Sequence, residues 1–130
     1  MVSVLMPDRG LPSDHQKVHI ESILITLNTN MSACHLQLGN FDRAIICANA
    51  ALEIDPNSVK ALYRRALARL KQSPPQLNKV LEDLIAAQQG LLPARDAGID
   101  ALTKDVATRV KALDERQEAQ LRVAFSKMFD

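Results

Sequence analysis

Residues 30–56, NMSACHLQLGNFDRAIICANAALEIDP, and residues 59–70, VKALYRRALARL, carry the pattern that decides the fold. The second stretch repeats the start of the first at an offset of 34 residues, which places Arg64 at the repeat position of Asn30. A repeat of about this length is a pair of helices that cannot bury its apolar face alone, so neighbouring pairs stack into a solenoid. The repeat therefore predicts an all-α scaffold that binds other molecules.

The composition fits small helices that pack closely. Hydrophobic residues make up 47% of the 130 residues, but only 3% are aromatic and Trp is absent. Sixteen basic and fifteen acidic residues leave a net charge of +1, so bulk charge recruits neither nucleic acid nor an anionic membrane. Two cysteines are too few for a disulfide scaffold, so we interpret them as small buried residues of a cytoplasmic protein. No apolar run approaches the ~18 residues of a membrane span, and no targeting segment is recognised.

The first half of the chain is predicted to hold one tetratricopeptide repeat. Residues 1–12 are expected to be the remnant of a preceding repeat and a loop, and residues 13–56 to be a repeat with an extended first helix. Ser13 and Gln16 have capping-box spacing at the start of that helix. An apolar stripe then follows it at spacings of three and four residues: Ile20, Ile23, Leu24, Leu27, Met31, Cys34 and Leu38. The N-terminal face of this long first helix is expected to be exposed, so it is a candidate surface for a homo-oligomer.

The second half is predicted to hold another repeat and a cap. Residues 57–93 form a repeat with an enlarged turn, because the small residues Ala44, Ala48 and Ala51 map onto Val80, Leu84 and Ala87. That offset is 36 residues instead of the 34 found between Asn30 and Arg64, so two extra residues belong in the turn around Pro74. Residues 94–130 are predicted to be a long C-terminal capping helix with a periodic apolar face: Ile99, Leu102, Val106, Val110 and Leu113.

Residues that suggest chemistry are few. His15 and His19 have a spacing that can bind zinc on a helix, but no third ligand is placed near them, so no metal site and no cofactor are expected. Cys34 lies beside His35, yet its repeat position predicts an interior side chain and nothing suggests an oxyanion hole. We therefore expect no catalytic residue in this chain.

At these residues the sequence resembles the last two repeats of the large immunophilins, the tacrolimus-binding FKBP-type prolyl isomerases with a C-terminal tetratricopeptide domain. The KALYRRA motif after DPNS and the final LRVAFSKMFD carry the resemblance, which extends over roughly residues 25 to 130. It implies a co-chaperone module that does no chemistry itself. The parent protein would be a peptidyl-prolyl cis-trans isomerase through an N-terminal domain outside this sequence.

The resemblance also implies a ligand, the acidic Glu-Glu-Val-Asp tail of a heat-shock chaperone, with the ninety-kilodalton class favoured. Such domains grip that tail with a carboxylate clamp, whose matching positions here are Asn30, Lys60 and Arg64. Lys60 and Arg64 are i,i+4 neighbours and point from one helix face, where charge-assisted hydrogen bonds to carboxylates can form. Tyr63 and Arg65 are possible auxiliary contacts of the groove. The alternatives are a solvated helix face for the clamp cations, and packing for Tyr63, Arg65 and Arg69.

The family's first repeat would supply one more Lys and one more Asn. MVSVLM resembles only the end of that repeat's second helix, so we expect a partial clamp. Two missing contacts of very roughly 1.5 kcal/mol each would weaken peptide binding about a hundredfold.

The terminal helix is associated in that family with calmodulin binding, and Leu121, Phe125 and Met128 could serve as anchors. Three basic and four acidic residues from Asp114 to Asp130 argue against it, since calmodulin targets are normally basic. Two other functions stay open: a generic scaffold for a different peptide, and a self-associating regulatory domain.

Overall fold

The computed structural model describes residues 10–128, which form five α-helices joined by short connections. The helices are α1 (Asp14–Leu38), α2 (Phe41–Ile54), α3 (Val59–Lys71), α4 (Leu77–Leu91) and α5 (Ala97–Met128). Each helix contacts the next, and α1 also contacts α3, as expected for helix pairs stacked along a solenoid. The all-α prediction is confirmed. Most of the expected remnant at residues 1–12 lies outside the described residues.

The ends of α1 follow the capping signals in the sequence. The Ser13 hydroxyl accepts a hydrogen bond from the backbone N–H of Gln16 at 3.2 Å, and the Gln16 side chain accepts one from the Ser13 N–H at 3.0 Å. Gly39 ends the helix with a φ of 79°, a left-handed conformation that glycine adopts without strain. Asn40 then leads directly into α2, so the first helix pair has a turn of two residues.

Small side chains let α2 approach its neighbours closely. Ala44, Ala48 and Ala51 are each 0% exposed, as predicted from their spacing. From α1, the buried Ser32 hydroxyl donates a hydrogen bond of 2.8 Å to the Ala44 carbonyl oxygen. This contact satisfies a polar group that would otherwise be costly to bury, and it fixes α1 against α2.

The second pair repeats this arrangement with larger residues. Val80, Leu84 and Ala87 of α4 are 0% exposed, as their mapping onto the first repeat predicts. The connection between α3 and α4 covers residues 72–76 and contains Pro74 and Pro75. The extra residues therefore lie in a surface turn, where an insertion does not disturb helix packing.

A buried acidic residue ties three helices together. Asp83 of α4 is 3% exposed, and its carboxylate accepts hydrogen bonds from Arg65 at 2.7 and 3.0 Å and from Arg69 at 2.8 Å. Arg65 also donates to the Asn49 side-chain oxygen of α2 at 2.9 Å. We call these four residues the ion cluster. They agree with the packing interpretation of Arg65 and Arg69 that the sequence left open.

The last helix covers the second repeat and then leaves it. Ile99 and Val106 are buried, and Leu102 and Val110 are half-buried against the same core. Every residue from 111 to 128 is exposed, including Leu113, which was expected to cover the repeat. The helix therefore caps the core with its first half and projects beyond it with the second.

One prediction about the cysteines is wrong. Cys47 is buried on α2, but Cys34 is exposed, although its repeat position predicted an interior side chain. The apolar stripe around it is also open to solvent: Leu27 is 52% and Leu38 is 73% exposed. The reason is that α1 packs through its opposite face, which carries the buried Thr29 and Ser32. Within residues 10–128, no helix precedes α1 to cover the stripe.

Candidate functional site

The structure places two of the three clamp candidates next to each other in space. Arg64 on α3 donates a hydrogen bond from Nη1 to the backbone carbonyl of Thr29 on α1, the residue directly before Asn30. The guanidinium is half-buried, and this contact holds it against α1. The repeat equivalence of Asn30 and Arg64 in the sequence therefore corresponds to an actual contact between the two helices.

Lys60 lies one turn before Arg64 on the same helix, near its N-terminus. Ser58 caps that helix by accepting a hydrogen bond from the Ala61 N–H at 3.4 Å. No acidic residue occurs in the first turn of α3, where the helix dipole gives a positive potential, although Asp55 before the helix accepts a hydrogen bond from the Asn57 N–H at 3.1 Å. The exposed ammonium of Lys60 adds to this positive potential, which favours an anionic ligand.

Asn30 and Lys60 keep their hydrogen-bonding groups available. In the part of the chain that the structure describes, neither side chain makes a hydrogen bond or an ion pair, and both are exposed. The nearby Asn28 differs, because its amide donates to the Leu24 carbonyl at 2.9 Å within α1. The clamp positions therefore combine one fixed guanidinium with two side chains that can reorient towards a ligand.

The auxiliary candidates Arg65 and Tyr63 make contacts within the fold, and their role as ligand contacts stays a prediction. Both ends of the Arg65 guanidinium are used by Asp83 and Asn49, as described above. Tyr63 is half-buried and packs against the buried apolar cluster. Sequence reasoning missed Thr29, since no pattern marks a residue that acts through its backbone carbonyl. It also missed Asp83, although its spacing with Val80, Leu84 and Ala87 places it on the buried face of α4.

Other candidate residues lie apart from this site. His15 and His19 are exposed near the start of α1, and residues 10–128 hold no group of three potential metal ligands. Leu121, Phe125 and Met128 are exposed on the projecting part of α5, so calmodulin binding stays a prediction. None of the described helices is both long enough and apolar enough to cross a membrane.

A cleft of about 710 Å³ lies elsewhere on the surface, between the two helix-pair turns. Residues 39–43 and 72–76 line it, and a hydrogen bond of 2.8 Å from Gln72 to Asp42 joins its two walls. None of the three clamp candidates belongs to this lining, so the cleft is separate from the site built around Arg64.

Comparison with known proteins agrees with this fold. The model of the tetratricopeptide repeat family matches residues 27–58. Peptidyl-prolyl cis-trans isomerase FKBP4 of Mus musculus is 44% identical over 55 residues, which is 42% of this chain and 12% of that protein. The Bos taurus protein of the same name is 38% identical over 58 residues, 45% of this chain and 13% of its own length. The chain thus spans about an eighth of the length of these relatives.

Two solved structures share the arrangement of helices. The C-terminal tetratricopeptide-containing domain of a putative FK506-binding protein from Plasmodium falciparum has a TM-score of 0.68 at 23% identity, covering 88% of this chain and 73% of that one. The Hsp90 co-chaperone Cns1 from Saccharomyces cerevisiae has a TM-score of 0.62 at 28% identity, covering 82% and 33%. The chain therefore carries a tetratricopeptide repeat match at residues 27–58 within an all-α fold that resembles those of the two solved structures, and part of it is similar in sequence to FKBP4.

Proposed function

We propose that this module docks the acidic C-terminal tail of a heat-shock chaperone, ending in Glu-Glu-Val-Asp, through Asn30, Lys60 and Arg64. The observation that carries the proposal is the Arg64–Thr29 hydrogen bond, which holds a cation beside Asn30 on the neighbouring helix. A bound tail would offer several carboxylates to these side chains within a short extended segment. The ninety-kilodalton chaperone is favoured because the structurally similar Cns1 is named as an Hsp90 co-chaperone.

Each of the three residues would make a different kind of contact with the acidic tail. Arg64 presents a planar fork of donors that matches a carboxylate, whereas Lys60 supplies a mobile point charge. The Asn30 amide can donate to a carboxylate or accept from a peptide N–H. With only these three contacts we expect binding that is weak and sensitive to salt, because two of them depend on exposed or half-exposed charges.

The whole protein is proposed to be a cytoplasmic co-chaperone whose isomerase activity, if present, belongs to a region outside this chain. The similarity to FKBP4 over 55 residues of this chain supports this proposal. The chain's own role would then be to bring that region to the chaperone.

The test is a titration of labelled Met-Glu-Glu-Val-Asp peptide into three forms of the chain at low and high salt. The forms are the unchanged chain, a Lys60→Ala/Arg64→Ala variant, and an Arg43→Ala/Lys79→Ala control that removes the same charge from α2 and α4. We expect salt-sensitive binding by the unchanged chain and the control, and at least a tenfold loss in the clamp variant, about 1.4 kcal/mol. A Lys60→Ala variant checks the result without disturbing the Arg64–Thr29 contact.

Two results would contradict the clamp. Equal binding by the clamp variant and the control would show that the groove acts as a generic scaffold for another contact mode. Binding that ignores salt, or that persists when the peptide ends in an amide, would show that the terminal carboxylate is not recognised.

A second role, self-association, is favoured by the exposed apolar stripe on α1. Contiguous apolar surface of this kind is uncommon on a monomer and marks an interaction site. This role does not depend on the clamp.

A further inference from the structure

Gly90 lies where the end of α4 approaches the start of α3. A Cβ atom built on Gly90 would lie 2.9 Å from Val59 Cγ2 and 3.4 Å from the Asn57 carbonyl oxygen. Carbon atoms of different residues pack at about 3.5–4.0 Å, so even a methyl group at position 90 has no room. The glycine therefore allows a close approach between α4 and α3.

This glycine does not serve to end its helix. Helices often end at a glycine with a left-handed backbone, and Gly39 at the end of α1 is an example. Among the glycines that the structure describes, only Gly39 has a positive φ, and Gly90 lies within α4, which continues to Leu91. Since glycine inside a helix is less stable than alanine, the close approach to α3 explains why position 90 has no side chain.

The backbone that Gly90 faces belongs to a hydrogen-bonded turn. The Asp55 carboxylate accepts a hydrogen bond from the Asn57 N–H, and the Asp55 carbonyl accepts one from the Ser58 N–H, both at 3.1 Å. Ser58 in turn caps α3, as described above. This turn and the first turn of α3 are therefore expected to move together.

Val59, the first residue of α3, has little freedom to yield alone. It is half-buried and packs against the buried apolar cluster. A β-branched side chain within a helix also has one strongly preferred χ1 rotamer. A methyl group at position 90 would therefore push the start of α3 away from α4, by about 0.6 Å if the 2.9 Å distance is to reach a normal contact.

Such a displacement would move one clamp candidate relative to the others. Lys60 directly follows Val59, so its backbone moves with the start of α3. Arg64 lies one turn later, and its guanidinium is held by the Thr29 carbonyl of α1. The position of Lys60 relative to Arg64 and Asn30 would therefore change. The flexible lysine stem compensates in part, so a modest effect on binding is expected.

We propose that Gly90 is a positioning residue of the clamp, because its lack of a side chain lets α4 hold the first turn of α3, and with it Lys60, in place. This inference rests on the peptide-docking function proposed above. Gly90 itself would not touch the ligand, and its effect on binding would pass through Lys60.

The first test is a double-mutant cycle with labelled Met-Glu-Glu-Val-Asp peptide at low salt. Its four forms are the unchanged chain, Gly90→Ala, Lys60→Ala and Gly90→Ala/Lys60→Ala. We expect Gly90→Ala to weaken binding by the unchanged chain about threefold, a part of the loss that Lys60→Ala causes, and to cause no further loss once Lys60 is replaced. Gln89→Ala is the matched control, since Gln89 is the exposed neighbour on α4, and it should bind as the unchanged chain does.

The second test examines the contact with Val59. An alanine that fits inside a helix raises the urea denaturation midpoint relative to glycine, because it restricts the unfolded chain. We expect Gly90→Ala to lower the midpoint instead. In a Val59→Ala background, which lacks the Cγ2 atom, Gly90→Ala should lose its effect on peptide binding.

Four results would refute the role of Gly90 alone. They are unchanged binding by Gly90→Ala, an equal loss with and without Lys60, a loss that persists in the Val59→Ala background, and a higher denaturation midpoint for Gly90→Ala. A failure of the clamp looks different, because the unchanged chain would then not bind the peptide, or Lys60→Ala would bind it equally well. Either of these results refutes the clamp and, with it, the role of Gly90 in binding.

Discussion

Replacing Asp83 with alanine removes the only anion of the ion cluster and leaves two guanidinium groups in a largely buried setting. The Asp83 side chain is 5% exposed, and those of Arg65 and Arg69 are 21% and 17% exposed. Three charge-assisted hydrogen bonds of 2.7 to 3.0 Å are lost at once. Arg65 retains only its bond to Asn49.

The expected cost follows from these contacts. Removing one partner of a buried ion pair typically destabilises a protein by about 3–5 kcal/mol, because the remaining charge stays buried and unpaired. Both arginines keep some contact with water and can move their charged ends outwards, which lowers the cost. We therefore expect Asp83→Ala to reduce the free energy of unfolding by about 2–4 kcal/mol, a large share of the 5–15 kcal/mol typical of a domain.

Urea denaturation followed by far-ultraviolet circular dichroism measures this difference. Glu82→Ala is the matched control, since Glu82 is the exposed acidic neighbour on α4 and should change stability by less than about 0.5 kcal/mol. Asp83→Asn keeps the shape and some hydrogen bonds and should fall between the two. If Asp83→Ala were no more destabilising than Glu82→Ala, the ion cluster would not stabilise the packing of α2, α3 and α4.

Three further outcomes test the packing and the helix ends. Leu84→Ala should lower the free energy of unfolding by about 2–5 kcal/mol in urea denaturation, because Leu84 is 0% exposed and its removal leaves a cavity; a loss below 1 kcal/mol would contradict this. Gly39→Ala should cost about 1 kcal/mol in the same assay, since its φ of 79° disfavours a side chain, and no loss would refute that requirement. In the folded chain a thiol reagent should modify the exposed Cys34 much faster than the buried Cys47, and equal rates would contradict the assigned burial.

The helices were largely predictable because local patterns determine them. The Ser13 capping box, the stop at Gly39 and the three alanines of α2 each correspond to an observed feature. The 36-residue offset placed the extra residues of the second repeat in the connection at residues 72–76. These features depend on residues close in sequence, so the pattern is sufficient to find them.

Burial across helices was harder to predict. The stripe on α1 has the periodicity of a buried face, but periodicity shows which side is apolar and not whether a partner covers it. Cys34 was wrongly placed inside for this reason. Asp83 shows the opposite case, since an acidic residue is rarely buried unless it is paired, and its partners lie 14 and 18 positions earlier in the chain.

For the candidate site, the sequence supplied the residue types and their repeat positions. The equivalence of Asn30 and Arg64 predicted that they lie on neighbouring helices, and Arg64 donates a hydrogen bond to Thr29, the residue before Asn30. That bond was not predictable, because its acceptor is a backbone carbonyl that every residue carries. The binding of a chaperone tail stays a prediction until the peptide is titrated.

The bond between Arg64 and Thr29 means that the ligand-free groove already contains an acceptor for its arginine. In the proposed complex, a carboxylate would either bind the remaining N–H groups of the Arg64 guanidinium or displace the Thr29 carbonyl. Displacement would exchange one hydrogen bond of Arg64 for another. The net gain in binding free energy would then be only the difference between two similar hydrogen bonds. The same bond keeps the arginine ordered before binding, which reduces the entropy lost when a ligand arrives. For the proposed ligand, we therefore expect modest affinity and little reorganisation of the protein, both because of this single contact between α1 and α3.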